Sequence, residues 1–350
     1  MKKLFMLVVT TLIVGCENQS YLSKDDKTQQ VTTSILDIRN GFAYLPKTEE
    51  PFTGKFVYYC QNDTSDKNSL FLKIDLTHEE ITIGPDKNEN EGLKGSGEDI
   101  SANKKVCIEE NYSNGKRNGL STTLNENYKS SYNYKNGVLN GLYELICLTD
   151  TGEKECSVIN YKDGVASGIT KNYKNEGDLW FVSINLGNTP ENDISVATKK
   201  LFRDEDKIEN HSWYKDYGFM LRDIQGKETG ISAYMGRGKD NSIVLRYKFQ
   251  YKDKEWLFIN SIIIAADNER FEKQNITSKT ENNYSVIKEW YDILALDEDL
   301  KIMKAIINSK ETTIRFKGNT AYSDYVVTTE EKAALKNVVE AYETLLTLSS

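Results

Sequence analysis

The sequence NYSNGKRNGL at 111–120, NYKNGVLNGLY at 133–143 and NYKDGVASGITKNY at 160–173 repeats one frame. The frame is Asn-Tyr-x-Asn/Asp-Gly-x-x-x-Gly followed by an apolar residue, and its tyrosines are Tyr112, Tyr134 and Tyr161. The first glycine of each unit is Gly115, Gly137 or Gly164, and the second is Gly119, Gly141 or Gly168. An Asn-Gly or Asp-Gly pair suits a turn with positive φ at both central positions, which makes it the strongest short-range hairpin signal. The second glycine permits a bulge or a close backbone approach where the next strand begins. A short strand with one aromatic face cannot bury that face alone, whereas a stack of such units can. Copies recurring every ~20–30 residues therefore predict an antiparallel β array.

The three units resemble the variant MORN repeats of bacterial proteins in the YwqK-like group, some of which carry the label antitoxin. Phe42–Tyr59 (FAYLPKTEEPFTGKFVYY) is similar to the entry unit of that group through Pro51, Phe52, Thr53, Gly54, Lys55 and Tyr59. The resemblance spans residues 42–180. It implies an antiparallel array used as a binding or scaffolding surface and brings no catalytic residues with it. The glycine frame lapses over Cys60–Cys107.

Upstream, Lys2 and Lys3 precede the apolar run Leu4–Val14, which is too short to span a bilayer comfortably. Ile13-Val14-Gly15-Cys16 resembles a bacterial lipobox, which implies cleavage before Cys16 and lipidation of its thiol. Residues 1–15 are thus predicted to be a signal peptide and 16–40 a polar tether, with folding starting near Phe42. Glu17 after the cysteine looks like outer-membrane sorting. The expected location is the cell envelope, lipid-anchored at the outer membrane and facing periplasm or surface. Attachment would come from acyl chains on Cys16 alone.

The 350 residues carry 45 Lys and Arg against 53 Asp and Glu, a net charge of −8. Loss of Lys2 and Lys3 with the leader makes the remainder more acidic. That balance, without a basic stripe interleaved with aromatics, argues against nucleic acid as a partner. The length suggests two domains, a MORN-like β-repeat domain at 41–187 and an α+β domain at 194–350, parted by the turn-rich Gly187–Asp193. Beyond Cys16, an exported chain with Cys60, Cys107, Cys147 and Cys156 invites disulfides. Cys147 and Cys156 flank the turn Thr149–Gly152, which places them on adjacent strands. Cys60–Cys107 and Cys147–Cys156 are the preferred pairing of three, with free buried thiols as the alternative.

Leu70–Ile83 reads as two strands and Gly84–Lys105 as a loop. Val106–Ile108, Gly119–Leu124, Gly141–Leu148, Glu155–Asn160, Gly168–Tyr173 and Leu179–Leu186 read as strands, the last closing the repeat domain. Thr198–Glu209 is either a short helix or extended. Gly218–Leu221, Ile231–Tyr234, Ile243–Gln250 and Lys254–Ala265 read as strands, with a hairpin in Ser242–Phe258 and Trp256 in the core. Tyr284–Leu294 follows a helical period through Ile287, Trp290, Tyr291 and Leu294, and Asp297–Ile307 continues it. Lys310–Lys317 and Tyr322–Val327 form a hairpin turned at Gly318-Asn319. Thr328 and Glu331 supply a capping box for a final helix, whose apolar face is expected over the sheet holding Lys310–Lys317. Residues 284–346 loosely resemble the C-terminus of small envelope domains in other bacterial lipoproteins, which implies no activity. The fold class is therefore mainly β with an α+β C-terminal part: a repeat array plus a smaller antiparallel sheet packed by helices.

Only His78 and His211 are present, and neither has a metal-ligand spacing around it. Gly236-Arg237-Gly238-Lys239 lacks the full glycine spacing of a phosphate loop and reads as a basic hairpin turn. No catalytic residue, metal or cofactor is predicted. The expected function is non-enzymatic: a lipid-anchored module that binds or scaffolds another envelope or secreted protein. Its candidate surface is Tyr112, Tyr132, Tyr134, Tyr143 and Tyr161. An immunity or antitoxin-like protein binding a toxin is the alternative, and an envelope hydrolase the third. The hydrolase would need a concave pocket holding convergent carboxylates or a histidine, and the shortage of histidines weighs against it; a pocket with His78 or His211 beside an acid would favour it.

Overall fold

The computed structural model describes residues 30–31, 36–59, 106–174, 177–283 and 286–350. Residues 1–15, Cys16, Cys60, His78, the strands expected in Leu70–Ile83 and the loop expected in Gly84–Lys105 lie outside the described residues. The chain forms two compact units, Met1–Gly119 and Leu120–Ser350.

The first unit holds β1 (Gln30–Val31), β2 (Asp37–Arg39), β3 (Phe42–Tyr44), β4 (Gly54–Tyr59), β5 (Val106–Ser113) and β6 (Lys116–Arg117). Regular structure starts before Phe42, because Asn40 and Gly41, both at positive φ, turn β2 back onto β3. β4 pairs in parallel with β1 and antiparallel with β5. Asn114-Gly115 closes the β5–β6 hairpin with φ of 49° and 77°. The turn is seated on the Pro-Phe-Thr segment, where Gly115 N donates to Phe52 O at 2.7 Å and Asn114 N to Thr53 Oγ1 at 2.8 Å. A Cβ on Gly115 would lie 3.0 Å from the side chains of Phe42 and Pro51, so space and φ both call for glycine. The core comprises Ala43, Phe52, Phe56, Cys107, Ile108 and Tyr112. Cys107 is disulfide-bonded. Its expected partner, Cys60, is outside the described residues.

The second unit opens with β7 (Gly119–Leu124), which starts at the division, then β8 (Tyr128–Lys135), β9 (Val138–Thr149), β10 (Gly152–Lys162), β11 (Val165–Tyr173) and β12 (Leu179–Asn185). After these come α1 (Glu191–Ala197), β13 (Leu201–Asp206), β14 (His211–Asp216), α2 (Tyr217–Ile224), β15 (Gly230–Arg237) and β16 (Ser242–Asp253). The remainder is β17 (Ser261–Ala266), β18 (Glu269–Gln274), β19 (Lys279–Asn283), β20 (Val286–Leu294), α3 (Asp297–Asn308), β21 (Thr312–Lys317), β22 (Tyr322–Val326) and α4 (Thr329–Ser349). A mainly β N-terminal region is thus followed by an α+β segment.

The hairpins β8–β9 and β10–β11 turn at Asn136-Gly137 (φ 53° and 87°) and Asp163-Gly164 (φ 51° and 83°). Beyond β12 the order ceases to be sequential. The sheet runs β7-β8-β9-β10-β11-β12-β16-β15-β14-β13. One edge of β16 is shared: Ile184↔Ile243 and Asn185↔Ser242 join it to β12, and Arg246–Asp253 pairs with β20, which carries β19 beyond it. β12 thus leads directly onto β16, and the compact units part at Gly119/Leu120. A second sheet runs β18-β17-β21-β22.

Several expectations for 194–350 are corrected. Gly218–Leu221 lies in helix α2, because Asp216 Oδ1 accepts from Gly218 N at 2.7 Å and starts a helical turn. Thr198 is the C-cap of α1, and β13 follows. Within the helix expected over Tyr284–Leu294, the described residues Val286–Leu294 form β20 instead, a β-branched and aromatic run drawn into pairing on both edges, with β16 and β19. The hairpin expected in Ser242–Phe258 is absent, since β16 takes β15 and β20 as neighbours while β17 joins the second sheet. Tyr128–Lys135, a strand the sequence reading did not bound, pairs with β9. Helix α4 has its expected capping box, with Thr328 Oγ1 accepting from Glu331 N at 3.2 Å and Glu331 Oε2 from Thr328 N at 2.9 Å. Its buried Ala334, Leu335, Val338, Val339, Tyr342 and Leu345 pack chiefly against β14, β15, β11 and β12 with the other three helices, in a core that also holds Ile314 and Phe316 of β21. Each fully buried leucine or valine side chain among them contributes about 1.5–3 kcal/mol.

Candidate functional site

Side chains alternate across a strand, so the register assigns each residue of the second unit to one of two faces. Ile184, Ile231, Met235, Ile243, Leu245 and Tyr247 point to the helical side and are fully buried. The opposite, outer face carries two clusters of chemistry.

The first sits on the repeat strands. Tyr132 is opposite Tyr143, and Tyr143 opposite Ile159, so these three form one cross-strand row. The Tyr132 and Tyr143 rings lie 4.8 Å apart at 37°, and Tyr134 is 6.3 Å from Tyr132. Tyr161 belongs to the same face, opposite Gly141. All four rings are half-buried. Burial raises the Tyr143 hydroxyl above its ordinary pKa, reinforced by Tyr132. Burial also raises Tyr161. Tyr143 and Tyr161 therefore remain neutral donors and acceptors over the whole physiological range. Farther along, the face turns polar: Ser157 Oγ donates to Asn172 Oδ1 at 2.8 Å and Asn185 Nδ2 to Thr170 Oγ1 at 2.5 Å. Cys147 and Cys156 are bridged across β9 and β10 with Cα atoms 5.7 Å apart. The remaining predicted surface residue, Tyr112, lies in the core of the first unit at 8% exposure. Its hydroxyl donates to Glu110 Oε2 at 2.6 Å, and Arg117 holds the other carboxylate oxygen at 2.8 Å. Tyr112 is a packing residue.

The second cluster lies on β14, β15, β16 and β20. Trp213 sits above Gly236, where a Cβ would come within 2.7 Å of the indole, so the glycine lets the ring lie against the backbone. Trp213 meets His211 edge-on at 5.9 Å and Tyr234 at 5.5 Å. A groove opens on each side of it. One, of about 460 Å³, includes Glu209, His211, Arg237, Lys239 and Asp240. His211 is thus in a concave site near an acid. Its Nδ1, however, lies 3.2 Å from the main-chain oxygen of Glu209, not from the carboxylate. Arg237 is tied to Asn241 Oδ1 at 2.8 Å and to Glu191 at 2.8 Å, which makes the Gly-Arg-Gly-Lys segment a fastened turn. The other groove, of about 310 Å³, includes Lys215, Ser232, Tyr234, Lys248 and Asp292 on the sheet and Asp223 on α2. Tyr234 donates to Asp292 Oδ2 at 2.7 Å, and Arg246 reaches Asp292 at 2.9 Å. Burial, with the bond to Asp292, pushes the Tyr234 pKa up to about 12.

Sequence reasoning did not single out Trp213, Tyr234, Lys248 or Asp292. Arg246 and Lys248 alternate with Leu245, Tyr247 and Phe249, so the pattern marks them as facing away from the core. It does not disclose that Asp292, over forty positions away in sequence, is their cross-strand neighbour. Among the described residues, no three His, Cys, Asp or Glu side chains are grouped to hold a metal ion. No described helix is long and apolar enough to cross a membrane. The chain matches no family model, no curated protein and no solved structure.

Proposed function

We propose that this chain is a non-enzymatic binding module of the cell envelope, carried by a lipid on Cys16, whose MORN-like repeat strands present a tyrosine face to another protein. The observation that supports the reading is the half-buried cluster of Tyr132, Tyr134, Tyr143 and Tyr161 on the side of the sheet away from the helices. Rigid, uncharged phenols supply contact area at low entropic cost together with a hydrogen-bonding tip, which is why tyrosine is favoured in protein interfaces.

The test is affinity capture from envelope extract with the leaderless chain and with a Tyr132→Ser/Tyr143→Ser variant, folding being checked by thermal melts. A partner retained by the first and lost by the second is expected. Equal capture by both would remove the tyrosine face from the account. A small basic partner would favour an immunity-type role, since an acidic chain is complementary to it.

A further inference from the structure

Within and beside the second groove, the charged neighbours of Lys248 are paired. Arg246 is bound to Asp292 at 2.9 Å, Lys252 and Lys288 share Glu228 at 2.9 and 2.6 Å, and Lys215 is loosely held by Asp204 at 3.9 Å. Lys248 is half-buried, and its ammonium has no hydrogen bond or ion pair among the described residues. Cross-strand pairing places it between Ser232 and Asp292. The Asp292 carboxylate takes its hydrogen bonds from Tyr234 and Arg246 and makes none to Lys248. A shielded ammonium without a direct ion-pair partner is costly, and burial lowers its pKa, with Asp223, Asp292 and Glu228 only partly opposing. Such a group is retained most readily where a ligand completes it.

The walls restrict what that ligand is. Trp213, Phe219 and Met220 offer an aromatic and apolar lining. Asp223 and Asp292 on the same walls repel a multiply charged anion. The volume of about 310 Å³ is at the small end for molecular sites. We propose that this groove binds a small monocarboxylate bearing an aromatic or branched apolar group, its carboxylate received by Lys248 and its apolar part lying against Trp213 and Met220. This site is separate from the tyrosine face, so either assignment can fail without the other.

Calorimetric titration of the full chain with phenylpropionate, benzylamine and inorganic phosphate tests the proposal. Saturable binding of phenylpropionate alone is expected, weakened about tenfold or more by Lys248→Met, as for loss of a charge-assisted hydrogen bond. Lysine acylation read by mass spectrometry gives a second measure on the unaltered protein: phenylpropionate should slow modification at Lys248 and leave exposed Lys239 unaffected. Absence of phenylpropionate binding, unchanged affinity in Lys248→Met, phosphate binding of equal strength, or no protection of Lys248 would each overturn it.

Discussion

The two ends of the outer face in the second unit are built by opposite means. At the repeat end, β8 to β11 are joined by tight turns, and every strand pairs with its neighbour in sequence. The face there is made of uncharged phenols. At the other end β16 takes β12, β15 and β20 as partners, and the face is made of lysine, arginine and aspartate brought from distant segments. Locally paired strands can hold an aromatic surface because each ring is supported by the next hairpin. A groove with charges of both signs needs non-local pairing, because each charge must find a counterion on another strand.

That contrast can be broken by mutation, and the largest effect belongs to the non-local end. Glu289 is fully buried and its carboxylate accepts from Leu257 N at 2.7 Å, Phe258 N at 3.0 Å and Ile259 N at 2.8 Å. It thereby holds Phe258 at φ 52°, a rare conformation for a bulky residue. Glu289→Ala should cost about 3 kcal/mol or more in denaturant unfolding, since buried donors are left unpaired. A loss below about 1 kcal/mol would show that the 257–259 segment holds itself.

Next in size is the repeat end. Replacing Cys147 and Cys156 together by alanine should cost about 2–3 kcal/mol on the chain-entropy estimate for so short a loop. Unchanged stability under reducing conditions would argue that the hairpin register is already set by its turns. Smaller again is the ring pair: a Tyr132/Tyr143 double-mutant cycle should give a coupling of about 0.5–1.5 kcal/mol. A coupling of zero would deny that the rings act as a unit.

The smallest effect should carry the opposite sign. The folded pKa of Lys248 lies below the ordinary 10.5. Its desolvation penalty is therefore full below the folded value and vanishes as pH rises past the unfolded one. Lys248→Met should raise the melting temperature at neutral pH, by about 2 °C if the gain approaches 1 kcal/mol. The difference should shrink steadily as the melt is repeated toward pH 10.5. A gain that does not depend on pH would trace to packing and not to charge.

What the amino-acid order determined by itself was local. Asn-Gly and Asp-Gly turns were legible because few residue pairs accept positive φ twice in succession, and Asn114, Asn136 and Asp163 have it. The Cys147–Cys156 bridge followed from two strands flanking one short turn, and the C-terminal helix from its capping box. The tertiary structure decided everything that depended on which strand lies beside which. Tyr112 was drawn into a core by Glu110 and Phe52, while Tyr132 and Tyr143 stayed on a face. Val286–Leu294 became a strand because open edges of β16 and β19 were there to take its backbone groups, which outweighed a helical period. The groove around Lys248 exists only through that pairing, because an i, i+2 pattern names the face a side chain points to but not the residue that will stand opposite it.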